Sequence, residues 1–108
     1  MRWMRQKAVP LVTTGWDRRP RVQNPVPWEV GLGGTMDEYY EAPTPQELAA
    51  HLQAGLDWVA RYPETAEANA ILIYAWNEID EGGWLVPTLA EGTARLDAIK
   101  EVLERRGL

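Results

Sequence analysis

Two stretches carry apolar residues in the manner of strands. Val9-Pro10-Leu11-Val12-Thr13-Thr14 is one, and Ala70-Ile71-Leu72-Ile73-Tyr74-Ala75-Trp76 is the other. The second is apolar almost throughout, with no alternation. That predicts a strand buried on both faces, as in a parallel sheet covered by helices. Pro10 cannot donate to a ladder and belongs near the start of its strand. Strands are expected near residues 9–14 and 70–77.

Two other stretches carry apolar residues at helical spacing. Thr44-Pro45-Gln46-Glu47 has the form of a capping box with proline at the first helical position. Leu48, Leu52, Gly55, Leu56 and Val59 follow, and Pro63 ends the run, so a helix is expected over about 44–62. Leu96, Ile99, Val102 and Leu103 predict a last helix over roughly 91–106, closed by Arg105-Arg106-Gly107. On its wet face Asp97 and Lys100, and Glu101 and Arg105, are spaced to pair.

The order is strand, long loop, helix, strand, loop, helix. It predicts an α/β fold of two tandem parallel β/α units, about 8–63 and 69–108, in a single domain. The first unit contains a long loop, 17–43, and long ordered loops in compact domains are usually functional. Two strands leave both sheet edges open, so the chain is expected either to be a piece of a larger barrel or to complete one by self-association, as a dimer or tetramer.

Composition narrows the partners. In 108 residues, 45% are hydrophobic and 25% charged, which fits a globular protein and not a disordered tail. The net charge of -5 disfavours nucleic acid, whose phosphates require a basic face. No apolar run approaches the roughly 20 residues that span a bilayer, so no membrane partner is expected. Met1-Arg2-Trp3-Met4-Arg5 is followed by no apolar region of the secretory kind and there is no cysteine, so a cytoplasmic location is expected. One histidine, His51, offers little to a histidine-based metal site, and no metal or cofactor is assigned. Six tryptophans and four tyrosines stand beside no phenylalanine. Indole faces stack on sugar rings, and they also fill cores.

The densest chemistry is Trp76-Asn77-Glu78-Ile79-Asp80-Glu81-Gly82-Gly83-Trp84. It begins where the second strand ends, and active sites of β/α folds lie at the C-terminal ends of strands. Three carboxylates within four residues are expected to repel one another and to raise at least one pKa. Paired carboxylates flanked by tryptophans, here Trp76 and Trp84, suit glycoside hydrolysis. A solvated acidic loop is the plainer reading of the same residues. Asp17, just after the first strand, is expected at the same rim or paired with Arg19 or Arg21. The cluster Arg18-Arg19-Pro20-Arg21 could hold anionic sugar substituents or pair with the acidic rim. Trp28 follows a stiff proline segment, and Gly31-Leu32-Gly33-Gly34 reads as a hinge.

These residues carry a resemblance. Tyr74-Ala75-Trp76-Asn77-Glu78-Ile79-Asp80-Glu81-Gly82 is similar to the W-N-E-x-x-E-G signature of glycoside hydrolase family 99 and its WbsX-like relatives. Gly15-Trp16-Asp17-Arg18-Arg19-Pro20-Arg21 resembles the G-W-D-x-x-P-R stretch those proteins carry on the preceding strand. The likeness corresponds to the last two β/α units of a (β/α)8 TIM-type barrel, about a quarter of it.

The resemblance implies a glycosidase-like enzyme acting on α-linked sugars, with Glu78 and Glu81 as the catalytic pair. Glu81 is implied as the general acid/base. Glu78 is implied to act on the sugar's own 2-hydroxyl, which serves as internal nucleophile with overall retention. Trp16, Asp17 and Asn77 are implied to line the pocket, with Trp76, Arg19 and Trp84 beside them, and Tyr74 is expected in the core. The same carboxylates leave two alternatives open. One is a non-catalytic, oligomerising barrel fragment with weak sugar binding. The other is a carboxylate-based hydrolase of activated esters or phosphoesters.

Overall fold

A computed structural model describes residues 6–29, 31 and 34–108. The N-terminal pentapeptide and the centre of the expected glycine hinge, Leu32 and Gly33, lie outside the described residues.

The fold is mixed α/β around a parallel pair of strands. β1 (Leu11–Thr13) lies beside β2 (Leu72–Tyr74), with Leu11 opposite Leu72, Val12 opposite Ile73 and Thr13 opposite Tyr74. Between them run a short helix, α1 (Arg19–Gln23), and the crossover helix α2 (Pro45–Arg61). The capping box forms as the sequence predicts. Glu47 N donates to Thr44 Oγ1 and Thr44 N donates to Glu47 Oε2. After β2 come a small antiparallel hairpin, β3 (Asn77–Glu78) and β4 (Gly83–Trp84), and the last helix, α3 (Ala94–Arg105).

Alternate residues of the strands face opposite ways. Val12, Ile71 and Ile73 turn to one face and pack with Leu48, Leu52 and Leu56 of α2 and with Ile99 and Val102 of α3. Gly55 lets α2 approach closely, because a Cβ there would lie 3.1 Å from Val12 Cγ2 and 3.2 Å from Ile71 Cδ1. Arg106 Nη1 reaches Asp57 Oδ1 at 2.6 Å and ties the end of α3 to α2.

On the opposite face the described residues leave Leu11 and Leu72 open. These two, neighbours across the ladder, are each 61% exposed. The expectation of a second strand buried on both faces is therefore corrected: both long helices lie on one side of the sheet. The ladder is also shorter than the apolar runs, since only three residues of each strand find partners. On α3 the polar pairs differ from those expected. Lys100 pairs with Glu104, and Thr93 Oγ1 donates to Asp97 Oδ2.

Candidate active site

The two motifs meet at the C-terminal ends of β1 and β2. Thr14 is buried there, and its hydroxyl accepts from Ala75 N at 2.8 Å, joining the two strand ends. Asp17 N donates to Glu81 O at 2.7 Å. Gly82 closes the 3-10 turn Ile79–Glu81 with φ +79, and a Cβ at this position would collide with the backbone of Asp17. Gly82→Ala is expected to cost at least about 1–3 kcal/mol from the left-handed backbone alone. The clash adds to that figure, and urea denaturation followed by circular dichroism reads the sum.

This turn folds the acidic run into a tight hairpin and sets Glu78, Asp80 and Glu81 around Arg21. From α1, Arg21 places Nε 2.8 Å from Asp80 Oδ2, Nη1 2.8 Å from Glu81 Oε1 and 3.0 Å from Glu29 Oε1, and Nη2 3.8 Å from Glu78 Oε2. The basic cluster thus pairs with the acidic rim, one of the two outcomes the sequence allows. Where mutual repulsion among the carboxylates predicts a raised pKa, Asp80 shows the reverse. The Arg21 guanidinium holds its carboxyl below the usual range.

A pH dependence follows. Asp80 titrates lower in the folded chain than unfolded, so its contribution is present above the ordinary aspartate range. It is lost as pH falls through the lowered value. Arg21→Gln removes the cause, so stability on acidification should decline less steeply from neutral pH to pH 3 than in the parent chain. Denaturation midpoints across that range decide it.

Tyr74 was expected in the core, and its ring is half-buried, but its hydroxyl donates to Glu81 Oε2. Burial, and then the carboxylate beside it, push the phenol up to about 12, so it keeps its proton and remains a donor. Glu81 is held at both oxygens, by Arg21 and by Tyr74, while Glu78 is held loosely. Sequence reasoning missed this use of Tyr74. The available signal was its even spacing from Leu72, which places it on the open face.

Asp17 is bound up with Arg19. Its Oδ1 accepts from Arg19 N at 3.0 Å and from Nε at 2.9 Å, and its Oδ2 from Nη2 at 2.6 Å. That contact lowers the Asp17 pKa, and the Arg19 guanidinium lies 3.5 Å above the Tyr39 ring. Trp16, 39% exposed, stands with its ring 6.3 Å from that of Tyr74. Trp76 is 56% exposed and Asn77 is also exposed at the start of the hairpin.

Trp84 is placed differently from Trp16 and Trp76. Its ring stacks 3.9 Å from the buried Arg95 guanidinium, and its indole N–H is buried without a partner among the described residues. Arg95 itself, which sequence reasoning missed, donates from Nη1 to Thr14 O and to Trp84 O, each at 3.0 Å.

At the strand-end rim Glu78 and Glu81 therefore share Arg21, Trp16 reaches them across the Tyr74 ring, and Trp76 stands exposed where the hairpin begins. Asp17 and Arg19 border the rim as a mutual pair, and Trp84 lies against α3. No group of three or more His, Cys, Asp or Glu side chains among the described residues is arranged to hold a metal ion. No helix among them is long and apolar enough to cross a membrane. The chain matches no known protein family, no curated protein and no solved structure.

Proposed function

We propose that the chain forms part of a carbohydrate-active hydrolase acting on α-linked sugars, with Glu78 and Glu81 as its reacting pair. The observation that carries this reading is the setting of Glu81. Its two oxygens accept from Arg21 and Tyr74, which fix the carboxyl at the strand ends where Glu78 and the exposed Trp16 and Trp76 also stand. Exposed indoles beside a positioned carboxylate suit a sugar ring and a glycosidic oxygen.

In this reading Glu78 takes the proton of the substrate's 2-hydroxyl as that oxygen attacks the anomeric carbon. Glu81 gives a proton to the departing oxygen. Water then opens the resulting three-membered ring with the two roles reversed, and the anomeric configuration is retained.

The wider fold belongs to the same proposal. Two parallel strands, both helices on one face and an apolar opposite face suit a quarter of a (β/α)8 barrel whose other strands come by self-association. A panel of α-glycosides, with the product anomer followed by proton NMR, tests the chemistry. Retained configuration, and no turnover of a 2-deoxy substrate, support it. No turnover, together with no change in tryptophan fluorescence on adding α-linked oligosaccharides, overturns it.

A second reading has an observation of its own. Arg21 ties Glu78, Asp80 and Glu81 together as a structural ion-pair network would. Such a fragment binds sugars weakly on its tryptophans and does not hydrolyse them. Fluorescence quenching without turnover identifies it.

A further inference from the structure

The outer edge of β1 pairs with no strand among the described residues. Leu72 N donates to Pro10 O and Thr14 N donates to Tyr74 O, so the even-numbered residues of the first strand direct their backbone groups to β2. The intervening Leu11 and Thr13 turn their N–H and C=O groups to the other side. Their backbone N–H groups have no partner there among the described residues.

Along this edge run two cavities of about 490 and 360 Å³ that share His51. They extend from Trp16 at the upper end to Trp58 at the lower, floored by Leu48, Ala54 and Gly55 of α2. An open strand edge above an apolar groove is the geometry that accepts an added strand.

We infer that the occupant is β2 of a second copy, added in parallel and head to tail, with the helix that follows it lying over the groove. Three observations favour a second copy. In the ladder β2 directs the backbone groups of Leu72 and Tyr74 to β1, so those of Ile71 and Ile73 face the outer edge, where they meet no backbone partner among the described residues. The two edges are equally long and their strands already pair in parallel within one copy. Joining them also continues one apolar row, because a register that keeps the faces aligned sets the neighbour's Leu72 beside Leu11 or, two residues along as barrel closure staggers it, beside Val9, all three of them exposed.

The contact is heterologous, so each copy uses a different edge on its two sides, and four copies close a ring of eight parallel strands. The upper end of the groove carries Trp16. Each rim is therefore walled on one side by the strand end of the neighbouring copy, and a single copy holds an incomplete site. This inference rests on the self-association in the reading above, but it is tested without any substrate.

The chain contains no cysteine, so introduced thiols report unambiguously. Leu11→Cys and Val9→Cys, both at exposed positions, are each mixed with Leu72→Cys and oxidised. The two choices cover a two-residue step in register, and neighbouring strands lie within disulfide reach. The expected result is a disulfide heterodimer, at several-fold higher yield in a mixture than in any variant alone. Light scattering of the parent chain should give the mass of four copies. Leu11→Pro, which removes an outward N–H, should reduce that mass while helix content by circular dichroism is kept.

A monomeric parent chain overturns both this contact and the assembled barrel. An oligomer in which Leu11→Cys links only to itself overturns the head-to-tail arrangement and leaves self-association standing. Crosslinking as expected in a protein without glycosidase activity leaves this inference intact and removes the catalytic one.

Discussion

In Glu81→Gln, hydrolysis of an α-glycoside with a poor leaving group should fall by about 10²–10⁴-fold, the usual worth of a positioned general acid. The amide keeps the shape of the side chain and can still accept from the Tyr74 hydroxyl, but it has no proton to give the departing oxygen. A substrate with an activated phenolic leaving group needs little protonation, so its first step should suffer much less. The ratio of the two rates isolates the role. Glu78→Gln should depress both substrates alike, because activation of the 2-hydroxyl precedes departure in either case. Asp80→Asn should change activity by less than about tenfold, since Asp80 contributes an exposed ion pair to Arg21 and neither proton-transfer role. Full activity in both glutamine variants would remove Glu78 and Glu81 from the chemistry.

Arg95→Met should be the most damaging single change to the fold, at about 3–5 kcal/mol. The Arg95 side chain is 3% exposed, and its guanidinium serves Thr14 O, Trp84 O, Pro43 O and the Glu91 carboxylate. Methionine fills similar space but leaves those acceptors without a donor in a buried setting, where each missing bond costs about 1–3 kcal/mol. A domain of this size is stable by roughly 5–15 kcal/mol, so the loss takes a large share. Arg95→Lys should rescue only part of it, since a point-like ammonium cannot reach the same acceptors as a planar fork, nor stack on Trp84 in the same way. Urea midpoints for the three chains give the order. A methionine variant as stable as the parent would show the guanidinium to be dispensable.

What the sequence made legible was local. The capping box of α2 could be read residue by residue, because Thr44 and Glu47 bond only to each other's backbone. The start of α3 was less clear. The pattern suggested residue 91, but Gly92, at φ +57, and a bridge between Thr88 and Gly92 delay the helix to Ala94. The extra helix α1 had a sign in Pro20, close behind Arg18 and Arg19, and the hairpin of β3 and β4 had one in Gly82-Gly83. Neither is periodic enough to be recognised as an element.

Non-local partners were the larger gap. That Arg21 pairs with the acidic rim follows from charge alone, but which carboxylates it reaches depends on how the hairpin turns. Arg95 did carry a sign: it stands four residues before Ile99 and seven before Val102, on the stripe that α3 buries, but a single arginine there reads as the ragged end of the stripe and names no partner. Tyr74 was misplaced because an apolar run says that a strand is buried without saying which face lacks a cover.

The bond between the Arg95 guanidinium and Thr14 O spans 81 positions of the chain. At ribosomal speeds of about 5–20 residues per second, the donor is made about 4–16 seconds after its acceptor. β2 follows 61 positions behind β1, so for about 3–12 of those seconds β1 has no parallel partner, and until Arg95 emerges the rim around Thr14 and Trp16 has no anchor. The nascent chain must wait with its first strand unpaired, a vulnerable window for chaperone capture or misassociation. A pause early in translation would leave the finished fold unchanged and lengthen that exposure.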